Sequence, residues 1–156
     1  MRILAFDCAG AQCAAAILTD GDVTAEKRLV AERGHAQLLI PMLVALLDAA
    51  GLAFADIDRF AVTTGPGSFT GIRVALAAAH GLALGTGKPI VGVTNFEALA
   101  AAAAQTGIVE SRLLVAIDSR RAELFVQLFD RTGTALGDPA MLTPDAIRDW
   151  AGREPV

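Results

Sequence analysis

Apolar and polar residues alternate over the first thirty positions in the way that half-buried strands require. Residues 2–7 are mostly apolar until Asp7, and the stretches 13–19 and 23–30 flank an Asp20-Gly21 pair. Neighbouring residues of a strand point to opposite faces of a sheet, and Asp-Gly is a typical hairpin turn. The pattern therefore predicts that three antiparallel strands open the fold.

Apolar stretches of helix and strand length then alternate, separated by glycine, proline and asparagine. Short runs with β-branched residues are typical of buried strands, and longer runs of leucine and alanine are typical of helices. The pattern predicts a helix at 35–50 containing Pro41, a strand at 59–63, a helix at 72–84, a strand at 90–93 and a helix at 95–104. Ser68 or Thr70 is expected to cap the second helix, and Asn95 the third.

The opening pattern returns in the last third of the chain. A strand at 113–118 again ends on an acid, Asp118, and strands at 123–129 and around 134–142 precede a helix that begins at Thr143 or Pro144. A duplicated βββαβαβα order is the outline of the α/β fold of actin, hexokinase and Hsp70-like ATPases (ribonuclease H-like). We expect a complete first half at 1–108 and a second half at 109–156 that is cut short.

A glycine-rich segment, 63–73, joins the predicted strand at 59–63 to the helix that follows. Backbone amides in such a loop, together with a helix N-terminus, can bind phosphate. Glycine also simply permits turns and close packing, and the segment lacks the Lys-Ser/Thr ending of a P-loop, which favours the structural interpretation. The candidate phosphate- or nucleotide-facing residues are Asp7, Gly65, Gly67, Ser68, Thr70 and Asp118. Asp7 and Asp118 are equally typical of turn-forming acids at strand ends.

Composition narrows the possible functions. The 156 residues are 54% hydrophobic and 19% charged, with a net charge of −4 and scattered basic residues, which disfavours unaided binding of nucleic acid. Too few apolar residues precede Asp7 for a signal peptide, and no run of apolar residues has the length of a membrane span. We therefore expect a cytoplasmic protein. Cys8 and Cys13 are then expected to be reduced, although they could face each other across a hairpin.

Several motifs together resemble the TsaB (YeaZ) family of bacterial tRNA threonylcarbamoyladenosine biosynthesis proteins, partner paralogues of the catalytic subunit TsaD. The most specific is Gly-Pro-Gly-Ser-Phe-Thr-Gly-Ile-Arg at 65–73. The others are Arg33-Gly34-His35-Ala36 with Pro41, Gly81-Leu82-Ala83, Gly92-Val93 and Ile117-Asp118-Ser119-Arg120. The resemblance covers nearly the whole chain.

Two positions depart from the catalytic paralogue, which in this family carries a His-x-x-x-His metal pair shortly after the strand at 90–93. This chain has Asn95 and Leu99 there, and neither replaces an imidazole ligand well. His35 is expected to cap a helix start or to face solvent, and His80 to be a partly buried core or interface residue. Neither has a further metal ligand spaced beside it. We therefore expect no catalytic residue and no metal site.

Cys8-Ala9-Gly10 stands where relatives commonly place hydroxyl side chains after the first acid. Losing hydroxyl donors weakens the case for independent binding and hydrolysis of ATP. We expect no tightly bound cofactor. The alternative is that ATP or ADP binds with magnesium at low affinity or at a partner interface.

The helices at 35–50 and 70–85 are apolar around most of their circumference, more than one packing stripe requires. They are either enclosed within the chain or form an exposed two-helix face that binds another subunit, and we favour the second interpretation. The resemblance implies the same bundle. The predicted interface residues are Leu39, Met42, Leu43, Leu46, Ile72, Ala75, Ala79 and Leu82.

The resemblance implies a noncatalytic scaffold subunit in the modification of adenosine 37 of tRNA. It implies a heterodimer with a TsaD-like paralogue, a TsaE-like ATPase partner, a homodimer when the chain is alone, contact with tRNA only through the complex, and no membrane. The alternatives are an ATP-dependent phosphotransferase, a glycoprotease-like metallohydrolase of the same fold, and a self-associating structural dimer without a tRNA role.

Overall fold

The computed structural model describes residues 1–30, 34–107 and 111–153. It separates into two compact units, Met1–Val93 and Thr94–Val156. The predicted boundary between residues 108 and 109 lies outside the described residues, as does Arg33 of the family motif, so the predicted division into halves stays a prediction.

The first unit is built on a five-stranded mixed sheet. Its strands are β1 (Arg2–Asp7), β2 (Gln12–Thr19), β3 (Asp22–Val30), β4 (Arg59–Thr63) and β5 (Ile90–Val93), in the spatial order β3-β2-β1-β4-β5. The first three strands pair antiparallel, and β4 and β5 continue parallel to β1. The predicted opening hairpins and the two later strands are confirmed.

Two helices cover one face of this sheet. Helix α1 (His35–Ala49) contains Pro41, and helix α2 (Phe69–Thr86) is preceded by Ser68, whose hydroxyl accepts the Gly71 N–H at 3.2 Å. Of the two expected caps, Ser68 is the one used. A short 3-10 helix, Phe54–Asp56, was not predicted.

The core of the first unit lies between the sheet and these helices. Leu4 of β1, Ile17 of β2 and Phe60 of β4 are cross-strand neighbours that are fully buried on the same face. They belong to one cluster with buried side chains of both helices. Strands β3, β4 and β5 are parallel to one another. Helix α1 connects β3 to β4 and α2 connects β4 to β5, so the two helices run in the same direction across this face.

The second unit contains a three-stranded antiparallel sheet and two helices. Its elements are α3 (Asn95–Gln105), β6 (Arg112–Asp118), β7 (Leu124–Asp130), β8 (Ala140–Leu142) and α4 (Pro144–Arg153). Phe96 and Ala100 of α3 pack with Val115 and Phe129 of the sheet. The third strand is shorter than predicted because Thr134 closes a turn, donating its N–H to the Asp130 carboxylate at 2.9 Å.

Helix α2 has 18 residues and a mean hydropathy of 1.2, so by length and composition alone it is long and apolar enough to cross a membrane. This differs from the expectation that no run reaches that length. Core helices of globular proteins have the same properties, and Gly71, Ala75 and Ala79 of α2 are buried within the unit.

The cap of α3 is Thr94, not the expected Asn95. The Thr94 hydroxyl accepts the Glu97 N–H at 3.0 Å, and the Glu97 carboxylate accepts the Thr94 N–H at 2.7 Å. These reciprocal bonds form a capping box. The backbone N–H of Thr94, and after it the Thr94 hydroxyl, hold the pKa of Glu97 below its usual value.

We predict that Glu97→Gln flattens the acid dependence of stability. A lowered pKa in the folded state means that the ionised cap stabilises α3 above the usual value of 4.5 and that this contribution is lost as the pH falls through the lower, folded value. Thermal unfolding followed by circular dichroism from about pH 6 to about pH 3 measures it. Glu123→Gln, which removes a carboxylate that caps no helix, is the control; an equal change in both variants would contradict the prediction.

Candidate functional site

The glycine loop lies between β4 and α2, as predicted. Gly65 is buried with φ of 107°, a left-handed backbone that favours glycine, and the Gly65-Pro66 peptide bond is cis. A Cβ on Gly67 would lie 2.6 Å from the Ala9 carbonyl oxygen. The loop therefore sits directly against the turn that joins β1 to β2.

The β1–β2 turn packs against the N-terminal end of α2. The Ser68 N–H donates to the Ala9 carbonyl at 2.7 Å. A Cβ on Gly71 would lie only 1.8 Å from the Cys8 carbonyl oxygen, closer than any real contact. Only glycine at position 71 lets the helix and the turn approach this closely.

Asp7 fastens the same turn from the sheet side. Its carboxylate accepts the Ala9 N–H at 2.9 Å and the hydroxyl of Thr63. β1 and β4 are parallel neighbours, so the acid that ends one strand reaches the hydroxyl that ends the other. Thr63 was missed as a partner of Asp7, although its place at the end of a predicted strand was the available signal.

The structure brings four of the candidate phosphate-facing residues together: Asp7, Gly65, Gly67 and Ser68. Thr70 is exposed on the first turn of α2. The Ser68 and Gly71 amides already have acceptors within the chain, and this favours the structural interpretation of the loop. A nucleotide-facing role stays a prediction.

Asp118 lies in the second unit, at the end of β6. It is exposed, and its carboxylate accepts the Arg120 N–H at 2.7 Å. Arg120 has φ of 60°, so the acid stabilises a left-handed turn residue. The contact favours the interpretation of Asp118 as a turn-forming acid.

Asn95 and Leu99, where the resemblance implies metal-binding histidines in the catalytic paralogue, lie on α3. The side-chain oxygen of Asn95 is buried with no hydrogen-bond partner among the described residues, and Leu99 is half exposed. Across residues 1–30, 34–107 and 111–153, no three His, Cys, Asp or Glu side chains are grouped so that they could hold a metal ion. The expected exposures of the histidines are reversed: His35 is buried and His80 is exposed.

Most of the predicted interface side chains belong to the core. Each of them is at most 4% exposed within this chain, which corrects the expectation that they form an open face: Leu39, Met42, Leu43, Leu46, Ala75 and Ala79. They face the sheet because their spacing places them on the inner side of each helix. Ile72 and Leu82 are partly exposed.

The solvent-facing sides of the two helices carry several large apolar residues among polar ones. We define the outer helix face by seven exposed apolar or glycine residues of α1 and α2: Ile40, Val44, Phe69, Ala77, Gly81, Leu84 and Gly85. Polar residues are also exposed on these helices: Gln37, Asp48, Thr70, Arg73 and His80. Phe69 is 68% exposed and Leu84 is 89% exposed. The Arg73 guanidinium lies 3.7 Å from the centroid of the Phe69 ring, which places a positive charge at one end of the face.

A sequence model of the family described as "TsaD: tRNA N6-adenosine threonylcarbamoyltransferase" matches residues 21–154. The Escherichia coli K12 protein "tRNA threonylcarbamoyladenosine biosynthesis protein TsaB" is 37% identical over 153 residues, which cover 96% of this chain and 65% of that protein. The structure of YeaZ from Pseudomonas aeruginosa is 34% identical with a TM-score of 0.83, covering 92% of this chain and 68% of that one.

A more distant structure shows the fold alone. The activator of 2-hydroxyisocaproyl-CoA dehydratase from Clostridium difficile, solved with bound ADPNP, has a TM-score of 0.55 at 21% identity, covering 92% of this chain and 46% of that one. The predicted α/β ATPase-type fold is confirmed. The chain spans less than two thirds of the curated TsaB proteins that it matches, 65% of the Escherichia coli protein and 52% of the Haemophilus influenzae protein.

We predict that Gly71→Ala destabilises the chain by about 3 kcal/mol, because the methyl group would overlap the Cys8 carbonyl and force the turn off the helix. Gly81→Ala in the same helix is the matched control. A Cβ there meets nothing within 4 Å, so this variant should gain about 1 kcal/mol from helix propensity. Urea unfolding measures both, and similar stabilities for the two variants would refute the close contact.

Proposed function

The chain belongs to the TsaB (YeaZ) family of tRNA threonylcarbamoyladenosine biosynthesis proteins, and we propose that it acts there as a noncatalytic partner subunit. In this proposal it pairs with the metal-bearing TsaD-like paralogue and, with a TsaE-like ATPase, supports transfer of a threonylcarbamoyl group to adenosine 37 of tRNA. It pairs with itself when the paralogue is absent, contacts tRNA only through the complex, and works in the cytoplasm.

The outer helix face is the observation that supports this proposal most directly. Ile40 and Val44 are each 40% exposed on α1, and Phe69 and Leu84 of α2 are more exposed. The two helices contact each other, and large apolar side chains exposed on neighbouring elements are typical of protein interfaces. An ordinary stable interface buries about 800 Å² on each partner, so the proposed contact would have to extend along both helices.

Small residues on α2 support a partner that is itself helical. Ala77, Gly81 and Gly85 repeat at every fourth position, so they form one exposed strip along the helix. A glycine inside a helix costs about 1 kcal/mol relative to alanine, and neither glycine is needed for packing within the unit. Their absence of side chains lets the backbone of another helix come close.

The region of Asn95 and Leu99 supports a role without catalysis. Where the resemblance places the metal-binding histidines of the transferase, this chain has an amide and a branched alkyl group. An alkyl side chain cannot coordinate a metal ion, and an amide oxygen is a weak substitute for imidazole. The proposed complex therefore takes its metal chemistry from the paralogue.

We predict that Val44→Glu abolishes co-purification with the paralogue, because docking would bury an unpaired carboxylate. Val23→Glu is the matched control, since Val23 is 58% exposed on the edge strand β3, away from the outer helix face. A charge at Leu43 would not serve, because that side chain is fully buried and the chain would unfold. Pairing that survives Val44→Glu would place the interface elsewhere.

The biological readout is restoration of threonylcarbamoyladenosine in tRNA of cells that lack their own subunit. Val23→Glu should restore it as well as the unmodified chain does, and Val44→Glu should not. Rapid ATP turnover or stoichiometric metal in the purified chain alone would contradict the noncatalytic role and favour an enzyme.

A further inference from the structure

Cys8 and Cys13 meet at the closed end of the first hairpin. Asp7 and Ala14 are the last cross-strand pair of β1 and β2, and the two cysteines are the next positions in that register. Their sulfur atoms are 3.0 Å apart, and both side chains are fully buried. Residues directly opposite in an antiparallel pair have Cα atoms about 4.5–5.5 Å apart, which lies within the range that a disulfide spans.

We propose that Cys8 and Cys13 form a redox switch: they close to a disulfide in the presence of a low-molecular-weight disulfide such as oxidised glutathione, and the cross-link secures the β1–β2 turn against α2. The two thiols are free in this structure, so it represents the reduced state. This proposal does not rest on the tRNA-modification role.

The exchange balances without any other reactant. The thiolate of one cysteine attacks a sulfur of oxidised glutathione, and one molecule of glutathione leaves. The second cysteine then attacks the protein sulfur of this mixed disulfide, the sulfur–sulfur bond to glutathione breaks, and a second glutathione leaves. The protein is oxidised by two electrons, and the two departing glutathione thiols carry the hydrogen atoms.

The surroundings make this reaction depend on opening of the turn. Neither sulfur is exposed, and burial, followed by the hydrogen bond with Cys13, raises the pKa of the Cys8 thiol, so the reactive thiolate is disfavoured while the turn is closed. Glutathione reaches the pair when the contact between Ser68 and Ala9 opens. The second thiol is then adjacent, so ring closure outcompetes a lasting adduct.

The cross-link acts on the turn that carries Ala9. That residue accepts the Ser68 N–H, and the preceding Cys8 carbonyl lies against Gly71. A covalent ring across the hairpin end restricts the opening motion, because both strands must then move together. The amides of Ser68 and Gly71 should therefore exchange their hydrogens more slowly in the oxidised form.

The test treats the full chain with oxidised glutathione at neutral pH and measures the intact mass, the free thiols and amide hydrogen exchange. We expect a mass lower by two hydrogen atoms, loss of both thiols, no retained glutathione, and several-fold slower exchange at Ser68 and Gly71. Cys8→Ala and Cys13→Ala each have one thiol and should show neither the mass loss nor the slower exchange.

Three outcomes would overturn the proposal: persistent glutathione adducts on the unmodified chain, disulfide-linked dimers, or two unreacted thiols after equilibration. Unchanged exchange at Ser68 and Gly71 in a chain that has formed the disulfide would overturn its effect on α2. If a cysteine variant fails to fold, the measurements on the unmodified chain still decide, because they need no substitution.

Discussion

The contact between the β1–β2 turn and the first turn of α2 decides how the first unit is arranged. A side chain on Gly71 would occupy the position of the Cys8 carbonyl, and the Ser68 amide is bonded to Ala9. Since α2 is held so close at its start, the small side chains Ala75 and Ala79 pack against the sheet along its length. Because Gly71, Ala75 and Ala79 face inward, the opposite side of α2 faces solvent.

The same contact links the chemistry of the loop to the surface beyond it. In a nucleotide-binding loop the amides at a helix start point to an open site, whereas here the Ser68 amide serves an internal carbonyl and Asp7 bonds to Thr63 and the turn. The Ser68 amide and the Asp7 carboxylate therefore make their bonds within the first unit. The large apolar side chains exposed on the two helices support a role in binding another protein.

The sequence predicted the fold well because strand ends coincide with strong local signals. The strands at 2–7, 59–63 and 90–93 were placed with their observed bounds, since acids, glycines and prolines flank them. The predicted interface side chains of α1 are buried because they lie on its inner face. The signal for the solvent side was present, since the exposed polar residues Gln37 and Asp48 share a helix face with the exposed Val44. The contact of Asp7 with Thr63 joins residues 56 positions apart, which only the parallel pairing of two strands reveals.

The empty surroundings of Gly81 and Gly85 have a consequence for genetics. A methyl group at either position meets nothing in the isolated chain, so surveys that score solubility or expression will pass alanine there as harmless. If a second helix lies there in the cell, the same alleles will be defective only where the assembled state is scored. Tolerance of change along this strip is thus a poor guide to its importance.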